Sequence, residues 1–340
     1  MRRAGWLVIL ALACGEPPPP EPAPSPSDRA VVEVKRYIDA HVSALATACE
    51  ELCASAPEPD ADGWSFEHDR AAVEVMRGHW RRARVEYERV EGAIAILFPE
   101  LDQDVDGRYE HEAELRRDET PFDGRGFIGM HAIERVLWSS AIPTPVSAFE
   151  EALPGYVAPR TPATEDEARA FSEGLCAQLV RDVGTMRRQL APLALDPPTA
   201  WRGIQGSIEE QSEKVLLGAT GQDESRYSSN TLADMRANLE GGRAVLAAYD
   251  GMLRDAPEAR AEIDRRMDEL ERAYAALGGD ALPEVPEGFD PDSPSDAHFA
   301  TNYGRLFTLL SSASDPEAEG SLAHALRRAG DAMGIPPLAR

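Results

Sequence analysis

Imidazole nitrogens and carboxylate oxygens are the donors that hold first-row metal ions. One short stretch carries both at helical spacing. From Gly126 to Trp138 the chain reads Gly, Phe, Ile, Gly, Met, His, Ala, Ile, Glu, Arg, Val, Leu, Trp. Ile133, Val136 and Leu137 recur at helical intervals, which predicts a short buried helix. Gly129 stands before it, where a loop can enter, and Pro143 lies beyond its end. His131 and Glu134 are three apart, so they share one face and supply half of a metal site. The chain also carries a second such pair, His111 and Glu114. With seven histidines, about one His-x-x-Glu pair arises by chance, so context must separate the two. His131 and Glu134 lie among apolar residues, where an unpartnered carboxylate is costly. His111 and Glu114 lie in a charged stretch that reads as a solvated face.

The elements that must position this pair come from a chain of 340 residues, enough for one large domain or two smaller ones. The formal net charge is -25, and no basic patch is evident, which argues against nucleic acid as a partner. An acidic surface suits cation capture, and it suits plain solubility equally.

The first residues have the layout of a signal peptide. Arg2 and Arg3 precede an apolar run from Trp6 to Ala13, too short to span a membrane as a mature helix. Leu10, Ala11, Leu12, Ala13 and Cys14 resemble a bacterial lipobox. Cleavage before Cys14 would remove residues 1–13 and leave an acylated cysteine. The alternative is ordinary secretion, with Cys14 inside the removed peptide. Residues 14–28 then form a tether, extended by Pro17, Pro18, Pro19 and Pro20. Cys49, Cys53 and Cys176 remain in the folded part, and export permits a disulfide. Cys49 with Cys53 would distort a helix end, and Cys176 could pair with either; one thiol is left over in every case.

Residues 29–340 read as helices. Val31, Val34, Ile38, Val42, Leu45, Cys49 and Leu52 step by three and four, with Asp28 a plausible cap. A second helix is expected from Glu67 to Phe98, burying Val75, Tyr87, Val90, Ile94 and Leu97, and stopped by Pro99. The stretch from Asp102 to Asp123 reads as charged and partly irregular, and Pro143 to Thr164 as a loop. Helical spacing returns in Phe171, Leu175, Leu179, Met186 and Leu190, in Leu232, Met235 and Leu239, and from Ile263 to Leu277. Gly278 to Ser295 is a loop, Phe299 to Leu310 another helix, and a last helix is expected from Glu317 to Met333. No alternating strand pattern appears. The fold class is therefore all-α, helix packed on helix in bundle form.

Three blocks carry a resemblance to a known family. The first is Tyr87, Glu88, Arg89, Val90 and Glu91, followed by Phe98, Leu101, Asp102, Asp106 and Arg108. The second is Gly129 to Glu134 with Leu137 and Trp138, similar to a Gly-x-His-x-x-Glu signature. The third is Glu209 and Lys214, then Arg226, Tyr227 and Ser228, then Asn238 to Gly241. In order and rough separation they resemble the imelysin-like family, in particular its EfeO/EfeM-type periplasmic iron-uptake lipoproteins. The resemblance implies an all-helical fold of two related bundle halves, with His131 and Glu134 as metal ligands. It carries Glu88, Glu91 and Glu209 as further acidic candidates. For Glu88 and Glu91 the alternative is a helix face paired to Arg84 or Arg89. Tyr227 reads as packing. Where the family has Ser-His-Thr-Asp-Leu after the third block's tyrosine, this chain has Ser228, Ser229, Asn230, Thr231 and Leu232, lacking the His and Asp. The additional copper-binding domain that some relatives carry is not expected before Asp28, for lack of room.

Three functions follow. The first is a lipid-anchored periplasmic or cell-envelope protein that binds a metal ion, iron or zinc, in iron uptake. Its partners would be an iron permease or a peroxidase of the same system. The second is a metallopeptidase. Here the zincin pattern is incomplete, because Ala132 follows His131 and Arg135 takes the place of a second histidine. The third is a binding module for a surface polymer or a partner protein.

Overall fold

The computed structural model describes residues 24–65, 67–115 and 120–336, and of Leu115, Gln205 and Glu209 the backbone alone. The signal segment and Cys14 therefore lie outside the described residues, as does the Glu209 side chain. Among the described residues there are α-helices and no strand. In order they are α1 (Pro26–Ala54), α2 (Arg70–Glu88), α3 (Glu91–Leu97), α4 (Pro99–Asp106), α5 (Tyr109–Leu115), α6 (Gly129–Leu137), α7 (Thr144–Glu151) and α8 (Glu165–Ala170). A π-helical stretch, Phe171–Cys176, runs on into α9 (Ala177–Leu190). Then come α10 (Pro197–Gly218), α11 (Thr231–Ala248), α12 (Asp250–Leu253), α13 (Pro257–Leu277), α14 (Asp296–Phe299), α15 (Asn302–Ser314) and α16 (Leu322–Ala332). No described helix is long and apolar enough to cross a membrane.

The helices share one continuous apolar core. α1 packs on α2, α9 and α11; α10 packs on α3, α11 and α15; α13 packs on α16. The buried stripe of α1 is the expected one, from Val31 to Leu52. Its cap is not Asp28. Ser25 caps the helix by accepting from the Asp28 N–H at 3.1 Å, and Asp28 accepts in return from the Ser25 N–H at 3.1 Å. Asp28 is thus the third helical residue of a capping box, one turn inside the end.

The single helix expected from Glu67 to Phe98 is two helices, α2 and α3, broken at Arg89 and Val90. Tertiary packing is the reason. At the bend α11 approaches so closely that a Cβ on Gly241 would collide with the Arg89 carbonyl. The bend also turns Glu88 and Glu91 inward together. Val75 is exposed and Leu97 only half-buried, against expectation. Pro99 starts α4 as well as ending α3, because its fixed φ suits a first helical residue. The charged stretch after Asp102 contains α5, and the expected loop from Pro143 contains α7. The last helix begins at Leu322 instead of Glu317, since Ser321 caps it by accepting from the His324 N–H at 2.9 Å. Of the open cysteine pairings the structure contains Cys53–Cys176, which ties the end of α1 to the π-helical stretch, while Cys49 is a buried thiol.

Candidate metal centre

α6 opens at Gly129, whose φ of 86° suits glycine. A Cβ there would stand 2.5 Å from the Val105 carbonyl oxygen and 2.6 Å from that of Asp104. The missing side chain lets α6 dock against α4 and brings His131 to Asp106, the last residue of α4. His131 Nε2 lies 3.2 Å from Asp106 Oδ1 and 3.1 Å from Glu224 Oε1. Its Nδ1 lies 2.8 Å from Glu134 Oε2. The expected shared face is present, but the surroundings are not apolar: three carboxylates enclose one buried imidazole. Burial by itself would lower the His131 pKa; Asp106, Glu134 and Glu224 outweigh it and hold the imidazole well above its ordinary range.

Glu134 has partners on both of its oxygens. One oxygen faces His131 Nδ1, and the other accepts from the Ser228 N–H at 2.7 Å. Both are engaged inside the protein, an arrangement that can orient the imidazole. Ligating histidines are commonly held this way. His131 Nε2 and oxygens of Asp106 and Glu224 lie within 4.8 Å of one another, and the two carboxylates also accept from Arg84 and from Arg108 (3.2 Å), respectively. The segment that departs from the family pattern supplies this support. Ser229 adopts φ 55°, Asn230 donates to Asp234 at 3.1 Å, and Thr231 donates to Asp223 at 2.6 Å.

Glu88 and Glu91 are buried beside the site, but they face cations. Lys214 donates to Glu88 at 2.6 Å and to Glu91 at 2.9 Å. Arg84 donates to Glu88 and to Asp106, and reaches to 3.5 Å from Glu224. Arg89, the other expected partner, instead faces Glu86 and Glu240. The buried cluster therefore gathers six carboxylates, Glu88, Glu91, Asp106, Glu134, Glu224 and Asp234, around two permanent cations, Arg84 and Lys214. Such an excess of buried acid favours either protons or a further cation. Protons answer part of the acid in and around the cluster: burial raises the pKa of Asp234 to about 6 and, among its neighbours, that of Asp102 to about 7 and of Glu210 to about 9. For Glu224, burial would raise the pKa, but Lys214, His131 and Arg108 pull it well below the usual carboxylate range.

Asp106 and Glu224 open onto a pocket of about 290 Å³ that also exposes Glu91, Asp102, Arg108 and Glu210. His111 is exposed, as a solvated residue should be, yet it lines this same pocket. Tyr227 is buried and donates to Glu150, which pairs with Arg135 at 2.8 Å; this agrees with a packing role. Asp106 was legible only as part of a family block, and Glu224 and Glu210 were not singled out. No spacing rule connects position 224 to position 131, since the contact is made across the fold.

In this all-helical bundle an imidazole and carboxylates converge on the floor of an acidic pocket, an arrangement that packed helices can offer to an ion. The imelysin family model matches residues 33–313, and the chain belongs to that family. Among curated proteins, the iron uptake system component EfeO of Escherichia coli (strain K12) is similar, with 24% identity over 247 residues. That alignment covers 72% of this chain and 53% of the relative. EfeO of Shigella flexneri matches to the same extent. The chain thus spans about half the length of the curated relatives it matches.

Proposed function

We propose that this chain is a lipid-anchored protein of the cell envelope, facing the periplasm, that binds a metal ion for iron uptake. The convergence of Asp106, His131 Nε2 and Glu224 at the floor of the pocket carries the reading. The donor set fits a cation: one imidazole, two carboxylates and a local excess of negative charge. Mixed ligation of this kind suits iron, zinc or manganese. A cation approaching from the pocket replaces the proton on His131 Nε2, while Nδ1–H stays on Glu134. Water or pocket carboxylates complete the coordination. Glu88 and Glu91 hold Lys214 and are not needed as direct ligands.

The similarity to EfeO, an iron uptake system component, supports iron as the cargo; an iron permease or a peroxidase of the same system is the partner proposed with it. Acylation at Cys14, with residues 14–28 as tether and 29–340 as the helical domain, would hold the site near the membrane. Cys14→Ser should then release the protein into a soluble fraction; a wild type already soluble and beginning downstream of Cys14 defeats the anchor.

The site is tested by thermal denaturation with ferric, ferrous, zinc or manganous ion, since a ligand of the folded state raises stability by mass action. His131→Ala, Asp106→Ala and Glu224→Ala should each remove most of the rise. His68→Ala, an exposed histidine, should leave it unchanged. His111 is unsuitable as that control because it lines the pocket. If no ion raises the melting temperature, the metal reading fails and the polymer- or protein-binding alternative takes its place. Release of peptides from casein with added zinc would instead favour the metallopeptidase.

A further inference from the structure

We infer that Lys214 is the built-in occupant of a second cation position, and that it limits this acidic cluster to one metal ion. The inference rests on the site proposed at Asp106, His131 and Glu224. Glu88, Glu91 and Glu224 form another group whose oxygens lie within 4.8 Å of one another. Glu224 belongs to both groups, so two adjacent positions share one carboxylate. Two-metal sites have this plan, with ions about 3.5–4 Å apart. Here one of the two positions is filled from within the chain.

Lys214 Nζ lies 2.6 Å from Glu88 Oε2, 2.9 Å from Glu91 Oε2 and 3.2 Å from Asn238 Oδ1. Three acceptors meet the three protons of an ammonium. Lys214 is wholly buried, on a helix that packs directly on α3 and α11. Asn238 also fixes the two glutamates, donating to Glu88 Oε2 at 2.7 Å and to Glu91 Oε2 at 3.0 Å. The cluster is thus pre-arranged around a single cation that cannot diffuse away. A lysine there has two effects. It excludes a second ion, because the ammonium is covalently tethered and already occupies the acceptors of Glu88, Glu91 and Asn238. It also places a positive charge beside Glu224, which weakens that carboxylate's hold on an ion at the first position. Weaker hold favours release, which a carrier requires and a storage site does not.

The test uses the full chain and Mn(II) as the probe, read by equilibrium dialysis and electron paramagnetic resonance. Wild type should bind one Mn(II) with the six-line signal of an isolated ion. Lys214→Met should bind two, with the broadened signal of an exchange-coupled pair. Removing the ammonium leaves Glu88 and Glu91 unbalanced, so Lys214→Met/Glu88→Gln, which keeps the net charge, serves as the second variant. It should also bind two ions, the second at least tenfold more weakly than in Lys214→Met. Lys214→Arg, which keeps a cation in place, should bind one. Two ions in wild type would overturn the inference. So would one ion in the charge-balanced variant when wild type also binds one, and that result leaves the first site intact. No Mn(II) in wild type would overturn the proposed site, and this inference with it.

Discussion

Glu134→Gln separates the two roles that the spacing and the structure assign to that residue. In the fold Glu134 meets two demands at once, His131 Nδ1 at 2.8 Å and the Ser228 N–H at 2.7 Å. A glutamine has the same shape but only one acceptor oxygen, so one of the two donors loses its partner. If Glu134 only orients the imidazole, the loss resembles that of other groups behind a metal ligand. Affinity should fall about 10–100-fold, or about 1.4–2.7 kcal/mol. With metal set at about 1,000 times the wild-type Kd, the wild-type gain in stability is about 4.1 kcal/mol. The variant should retain about one third to two thirds of that gain. If Glu134 were a direct ligand, it should behave like His131→Ala and retain almost none. Thermal denaturation with and without metal, backed by calorimetric titration, reads the difference. A variant that loses the whole gain, or one as silent as a surface substitution, would refute the orienting role.

Three further outcomes follow. Burial raises Asp102 from 3.8 to about 7, so its proton stabilises the folded chain below the lower value and that stability is lost as pH rises through the upper one. Asp102→Asn, which keeps an acceptor for the Tyr87 hydroxyl, should match wild type at about pH 4 and melt higher than wild type at about pH 8; an equal gap at both would show that the carboxyl stays ionised throughout. Gly129→Ala should destabilise by about 1–3 kcal/mol through its φ of 86° and the close α4 carbonyls, and should weaken metal binding by moving His131 from Asp106; unchanged affinity would separate the α4–α6 approach from the site. Cys53→Ser should cost about 2–5 kcal/mol, because the bridge closes a separation of 123 residues, yet leave the gain from metal intact; a lost gain would couple the disulfide to the site.

Local order carried most of what could be read from the chain alone. The stripe of α1, the short helix around His131 and the absence of strands among the described residues follow from the three-four recurrence of apolar residues. Each such residue reports the face it buries whatever lies opposite. Capping and breaking were less legible. Asp28 and Ser25 are both good capping residues, and only the backbone shows which one stands outside the helix. Nothing between Glu67 and Phe98 announces the bend at Arg89. It exists because α11, more than a hundred residues later, needs the room that Gly241 provides. The same distance hid the site. The His131–Glu134 pair is a local fact, and its three-residue step places both side chains on one face. Whether Glu134 faces a cation or steadies the ring depends on Ser228, and the ligand set depends on Asp106 and Glu224. Those residues come from separate segments, and the side chains of Asp106 and Glu224 reach His131 only once α4, α6 and the segment before α11 have packed. A buried carboxylate takes its role from whichever donors the fold brings to it, and that choice is made by tertiary packing.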